Sequence, residues 1–164
     1  VVRYIQQAIM ECDSEHASIY QKNGDCYIAQ LKELDAYVQQ RVNAVDLQKR
    51  ILITAHDAFG YFGDAYGFEV VGLQGLSTDS DISTKDIQDL ADYIVKKRIP
   101  TIFVETSIPQ RSLIAVQQAV AAQGWRVGIG DELYSDALGD VESGAETYIG
   151  MVKHNIDAII EALS

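Results

Sequence analysis

A histidine and an aspartate stand where a metal ion could be held. His56 comes directly after a short β-branched run in the segment ITAHDAFGYF, and Asp136 lies in the loop segment ELYSDALGD. One imidazole nitrogen with one carboxylate oxygen suits zinc, manganese or iron(II) better than calcium or magnesium. By position alone, His56 is explained equally well as a ligand or base and as a helix-capping or loop residue. Asp136 is explained better as an ordinary turn residue.

Glu105 ends the apolar run TIFVE and is a third candidate. A carboxylate at the end of a buried strand needs a polar partner, because burial of an unpaired charge is costly. Arg111, at the start of the next predicted helix, is a candidate partner, and a structural salt bridge is the more common explanation of such a pair. His16 and His154 fall among polar residues of predicted helices, which favours solvated surface positions for both.

Sequence motifs of several enzyme classes are missing. The three histidines match neither H-x-x-x-H nor H-E-x-x-H, which argues against a zincin-type peptidase. The sequence contains no P-loop, no complete G-x-G-x-x-G and no G-x-S-x-G. These observations point away from an enzyme.

Short apolar runs alternate with helical patterns in the second part of the chain. The runs predict strands at 51–54, 68–73, 101–104 and 125–129, and the intervening patterns predict helices at 58–66, 84–97, 109–124 and 147–163. Ser83 and Asp86 resemble a capping box at the start of the second of these helices. Such alternation implies a parallel sheet, and parallel sheets hold ligands beyond the carboxyl ends of their strands.

The first part of the chain is predicted to be helical. Residues 1–11 form one amphipathic helix, and the run 15–45 forms a long second helix whose apolar stripe keeps its phase past Gly24. The predicted fold is α/β: a four-stranded, mainly parallel sheet flanked by helices and preceded by a long spine helix. We expect residues 1–47 to hold the first helix and the connecting helix, and residues 48–164 to form the α/β lobe.

Composition describes an acidic globular chain. The net charge is -11 and 48% of the residues are hydrophobic. An acidic surface argues against nucleic acid as a partner, since nucleic-acid binding needs clustered lysine and arginine. Cys12 and Cys26 either form a disulfide or remain free thiols. Because the sequence starts inside a predicted helix, we expect it to be part of a longer protein.

Several long segments resemble one protein family. The segments ILITAHDAFGYFGDAYGFEVVGLQG, IFVETSIPQRSL, GDELYSDALGD and ETYIGMVKHNIDAIIEAL are similar to those of the metal-specific solute-binding proteins of ABC importers, the TroA/PsaA/ZnuA-like family. The likeness runs over residues 15–164. It implies two α/β lobes joined by a long rigid helix, with a metal ion between the lobes.

The resemblance also implies roles for particular residues. Four side chains hold the metal in this family, two from each lobe, and His56 and Asp136 match the two from the C-terminal lobe. Glu105 and Arg111 then become candidates for residues that support the ligands or organise the lobe. The N-lobe histidine motifs of the family do not occur in this sequence, so we expect half of the site and weak metal binding.

The function that the resemblance implies is binding of Zn²⁺ or Mn²⁺, with Fe²⁺ as a third candidate, outside the cytoplasm. The partner would be the membrane permease of an ABC importer, in the periplasm or at the cell surface as a lipoprotein. We also expect the chain to self-associate through apolar surface that a second lobe would cover. The alternatives are a metal-dependent hydrolase or lyase, and a surface adhesin on the same scaffold.

Overall fold

The computed structural model describes residues 1–74, 82–106 and 110–164. It contains two compact units, Val1–Gln39 and Gln40–Ser164. The polar segment 76–82, which its composition predicts to be a loop, lies mostly outside the described residues, as does Pro109, the first residue of a predicted helix. Among the residues described, no helix has both the length and the apolar character needed to cross a membrane.

The first unit consists of helices. Helix α1 spans Val2–Cys12 and helix α2 spans Ala17–Val42, so α2 ends in the second unit. Helix α2 continues through Gly24, where a Cβ would collide with the side chain of Gln6. The Gln6 amide instead donates to the carbonyl of Gln21 at 2.9 Å. Gly24 is therefore a close-packing position between the two helices.

The two cysteines of this unit are free. Both Cys12 and Cys26 are exposed thiols. Of the two possibilities left open by the sequence, the structure shows free thiols rather than a disulfide, and it places them at the surface.

The second unit alternates strands and helices after a short 3-10 turn, Leu47–Lys49. Its elements in chain order are β1 Ile51–His56, α3 Gly60–Tyr66, β2 Glu69–Gln74, α4 Thr84–Lys97, β3 Thr101–Ile102, α5 Arg111–Ala122, β4 Gly128–Ile129 and α6 Tyr148–Leu163. Strand β1 is longer than predicted and β3 and β4 are shorter. His56 is thus the last residue of β1, whereas the sequence placed it just after the strand.

All strand pairs are parallel. Strand β1 pairs with β2, with Ile51 opposite Glu69, and β3 pairs with β4. The Phe103 amide donates to the carbonyl of Ile53 at 2.8 Å, which places β3 beside β1. The strand order across the two pieces is therefore β2-β1-β3-β4. The predicted α/β class with parallel strands flanked by helices is confirmed, although the regular pairing forms two-stranded pieces.

One face of these strands supports the main hydrophobic core. Helices α4 and α5 pack against this face. Their buried residues join those of the strands in one cluster, which includes Ile51, Ile53, Ala55, Leu73, Leu90, Ala91, Ile94, Ile102, Val104, Leu113, Val116 and Val120.

The residues between these core positions belong to the opposite face. Side chains alternate along a strand, so Leu52, Thr54 and His56 of β1 lie opposite the cluster, as do Phe103 and Glu105 after β3. His56 and Glu105 therefore share a face and stand at the carboxyl ends of neighbouring strands.

The predicted capping box of α4 is present. The Ser83 side chain accepts from the Asp86 amide at 3.2 Å, and Asp86 accepts from the Ser83 amide at 2.9 Å. Hydrogen bonds from Ser83 hold the pKa of the Asp86 carboxyl below its usual value. The stabilisation from these bonds is thus present above the unfolded-state pKa and is lost as the pH falls through the lower folded-state value.

We expect Ser83→Ala to lower the free energy of unfolding by about 1 kcal/mol, because it removes the acceptor for an otherwise unpaired helix amide. Urea denaturation monitored by circular dichroism measures this loss. Ser83→Thr keeps the hydroxyl and is the matched control, with a smaller expected loss. Equal losses in the two variants would contradict the capping role.

Candidate metal centre

His56 and Glu105 form a buried pair. Nδ1 of His56 lies 2.8 Å from Oε2 of Glu105, with side-chain exposures of 4% and 0%. The second oxygen, Oε1, accepts from the backbone amide of His56 at 3.0 Å. Nδ1 and Oε2 are close enough for an ion pair, but they are not aligned for a hydrogen bond. Neither atom has another hydrogen-bond partner among the described residues. The contact is therefore a close, buried approach of the two groups and not an aligned hydrogen bond.

Asp136 meets the other side of the same ring. Nε2 of His56 lies 3.4 Å from Oδ2 of Asp136, whose side chain is 60% exposed. The imidazole thus has Glu105 on its buried nitrogen and Asp136 on its outward nitrogen. The structure brings together three of the four residues singled out from the sequence.

The loop that carries Asp136 is tied to the segment that follows β3, just before the loop reaches the site. Leu133 forms a parallel bridge with Glu105, its amide donates to the Val104 carbonyl at 2.9 Å, and its carbonyl accepts from Thr106 at 3.1 Å. Between the pair Ile102–Ile129 and the Glu105–Leu133 bridge, the segment after β4 has one residue more than the segment after β3. This bulge turns the chain from the end of β4 towards the His56 side.

The distance between His56 and Asp136 fits two ligands of one metal ion. Nitrogen and oxygen ligands bind Zn²⁺ at about 2.0–2.2 Å, so at a tetrahedral angle two such atoms lie roughly 3.3–3.6 Å apart. The observed Nε2–Oδ2 separation of 3.4 Å falls in this interval. A metal-bound histidine also typically presents its other nitrogen to a carboxylate, which fixes its tautomer and raises its basicity. Glu105 occupies that place.

The described residues supply these two groups and no larger cluster. No set of three or more His, Cys, Asp or Glu side chains suited to one metal ion occurs within 1–74, 82–106 and 110–164. Two protein ligands leave coordination positions for water or for other groups.

The other sequence candidates lie elsewhere. Arg111 is exposed at the first residue of α5, and no ion pair joins it to Glu105 within the described part of the chain. His16 is in the first unit, where its Nδ1 lies 3.0 Å from Asp13. Glu105 therefore has a different partner from the arginine considered from the sequence.

Two residues that the sequence did not single out support His56. Buried Thr54 donates its hydroxyl to the His56 carbonyl at 2.8 Å. Gly72 of β2 has no room for a side chain, because a Cβ there would lie 2.6 Å from the Asp57 amide nitrogen and 2.7 Å from the His56 carbonyl carbon. A glycine inside a strand pattern is a known signal of close backbone approach, and it could have identified this position.

We expect Gly72→Ala to destabilise the second unit by about 1–3 kcal/mol, because the added methyl group must push the end of β1 away. The measurement is the free energy of unfolding from urea titration. Gly128→Ala is the matched control, since its Cβ would come no closer than 3.5 Å to a neighbouring atom. If Gly72→Ala lowered the free energy of unfolding no more than Gly128→Ala does, the close approach of β1 to Gly72 would not constrain the strands.

Comparison with known proteins shows the family of this chain. The family model of the periplasmic zinc-uptake complex component A, ZnuA, matches residues 1–162. The zinc-binding protein TroA of Treponema pallidum is 52% identical over 138 residues, which cover 84% of this chain and 45% of that protein. The manganese-binding lipoprotein MntA of Bacillus subtilis is 44% identical over 149 residues, which cover 91% and 49%.

The fold agrees with this relationship. The solved structure of the periplasmic zinc-binding protein TroA from Treponema pallidum superposes with a TM-score of 0.94 at 44% identity, covering 99% of this chain and 58% of that one. The chain spans about half the length of the curated relatives it matches. On the family match and this superposition, the chain belongs to the ZnuA family, that of the periplasmic zinc-uptake complex component A.

Proposed function

We propose that this chain binds a divalent transition metal outside the cytoplasm, as part of a protein that delivers the metal to the permease of an ABC importer. The observation that carries the proposal is the arrangement of Glu105 and Asp136 on the two ring nitrogens of His56. In this arrangement the outward imidazole nitrogen and a carboxylate oxygen are 3.4 Å apart. Membership of the ZnuA family and the zinc- and manganese-binding relatives support it.

The metal is cargo, and the residues bind it without covalent chemistry. We infer that the Glu105 carboxylate beside Nδ1 favours the His56 tautomer protonated on that nitrogen, which leaves the Nε2 lone pair facing Asp136. Asp136 supplies an anionic oxygen from the exposed loop. Binding then replaces some of the metal's water ligands with these two atoms, and release reverses the exchange.

The donor set restricts the cargo without selecting one metal. Imidazole nitrogen with carboxylate oxygen is compatible with Zn²⁺, Mn²⁺ and Fe²⁺, and the affinity order of these ions alone does not decide which is bound in a cell. One relative named above binds zinc and the other manganese. We propose Zn²⁺ or Mn²⁺ as the first probes and Fe²⁺ as the third.

The chain divides, in this proposal, into a helical part at 1–47 and a metal-binding α/β lobe at 48–164. All residues of the candidate centre fall in the second part. A hydrolase or lyase would also need a nucleophile or an activated water with a general base. Because the matched family and the relatives named above are metal-binding components, we favour metal binding over metal-dependent catalysis.

We expect His56→Ala and Asp136→Ala each to weaken binding of Zn²⁺ to the chain by at least about tenfold, since loss of a ligand costs more than loss of a supporting residue. Competition with a chromophoric chelator measures the dissociation constants for Zn²⁺ and Mn²⁺.

The matched controls are His16→Ala and Asp64→Ala, which remove an exposed histidine and an exposed aspartate away from the centre. Both should bind metal as the unmodified chain does. If the two ligand variants kept the original affinity while folded, the assignment of His56 and Asp136 would be wrong.

The supporting role of Glu105 makes a separate prediction. Glu105→Gln keeps the size of the side chain but removes the charge that faces Nδ1, so metal affinity should fall about 10- to 100-fold. Circular dichroism and urea titration check that the variant stays folded. An unchanged dissociation constant in a folded Glu105→Gln protein would mean that Glu105 only fills space.

A further inference from the structure

Helix α6 holds the loop of Asp136 through a buried asparagine. Asn155 is 8% exposed, and its amide group forms two hydrogen bonds with the backbone of one residue, Tyr134. Its Oδ1 accepts from the Tyr134 amide at 3.0 Å, and its Nδ2 donates to the Tyr134 carbonyl at 2.7 Å. A side chain thus gives Tyr134 the pair of bonds that a neighbouring strand would give it.

The preceding residue of α6 holds the same loop. Nε2 of His154 lies 3.0 Å from the carbonyl oxygen of Glu132, and because a carbonyl only accepts, Nε2 carries the proton. The His154 ring also meets the ring of Tyr134 edge-on, with centroids 5.0 Å apart. His154 is half-buried and bonded to the loop, whereas the sequence placed it at a solvated surface.

These contacts flank the bridge between Leu133 and Glu105. Leu133 bridges Glu105 in the segment after β3, and Asp136 lies three positions further on. The three bonds from α6 fix the backbone on both sides of Leu133, at Glu132 and Tyr134. Together with the Leu133 bonds, these three bonds hold this part of the loop.

We propose that Asn155, assisted by His154, is a positioning residue that holds Asp136 opposite His56 for metal binding. The inference rests on the proposed function, because it assigns Asn155 a role through the ligand Asp136. An asparagine fits this role since its amide offers one donor and one acceptor at fixed spacing, which matches the carbonyl and amide of a single extended residue. Neither residue touches the metal in this scheme.

The test is a double-mutant cycle for Zn²⁺ affinity. Asn155→Leu keeps a similar volume but removes both hydrogen bonds, and we expect it to weaken Zn²⁺ binding about tenfold. In an Asp136→Asn background the same substitution should add little further loss, because the ligand that it positions is already impaired. Ile159→Ala, which removes buried volume from the same helix, should lower stability without this loss of affinity.

A second variant covers the case in which Asn155→Leu does not fold. His154→Phe keeps a ring beside Tyr134 but removes the bond to Glu132, and it should weaken Zn²⁺ binding in the same direction. Amide hydrogen exchange should speed up at residues 132–136 in either folded variant and not in Ile159→Ala.

The outcomes separate the two proposals. Undiminished Zn²⁺ affinity in folded Asn155→Leu and His154→Phe, or an equal loss in the Asp136→Asn background, overturns the positioning role and leaves the metal site intact. Failure of the unmodified chain to bind Zn²⁺ or Mn²⁺, or full affinity in Asp136→Ala, overturns the proposed function and the positioning role with it.

Discussion

The candidate centre depends on one buried contact, that between His56 and Glu105. A carboxylate withdrawn from water is tolerated only beside a partner, and Glu105 finds both of its partners on one residue, the ring and the backbone amide of His56. This requires β1 and β3 to be neighbours, with the segment after β3 running alongside the end of β1. The bond from Phe103 to Ile53 sets that arrangement, and the Thr54 hydroxyl keeps the end of β1 in place.

The two sides of the centre differ in how firmly they are held. His56 ends a fully buried strand, whereas Asp136 projects from an exposed loop attached to the segment after β3 by Leu133 and to α6 by Asn155. Binding loops belong to the less stable parts of proteins, because they must move or exchange ligands. A firmly held histidine with a less firmly held aspartate is consistent with the proposed binding and release of a metal ion.

Much of the fold could be predicted from local patterns. Alternating apolar runs and helical stripes identified the strands and helices, and the Ser83–Asp86 box marked the start of α4. The partner of Glu105 could not be predicted in this way, because His56 is distant in the sequence and the contact depends on strand order. Chain proximity suggested Arg111, but the side chain beside Glu105 in space is that of His56.

The supporting residues were harder to find for a related reason. Gly72 and Asn155 carry no motif, and each is needed only because a particular backbone segment passes close to it. The unbroken apolar stripe correctly predicted one helix through Gly24, but it gave no sign that Gln6 packs against this glycine. Family resemblance selected His56 and Asp136, which position alone did not.

Anomalous X-ray scattering from crystals of the zinc-loaded chain tests the central claim most directly. The account predicts a zinc peak within about 2.0–2.2 Å of both Nε2 of His56 and an Asp136 carboxylate oxygen. Glu105 should remain beside Nδ1. A peak bound to other residues, or one that contacts His56 through Nδ1 in place of Nε2, would contradict it.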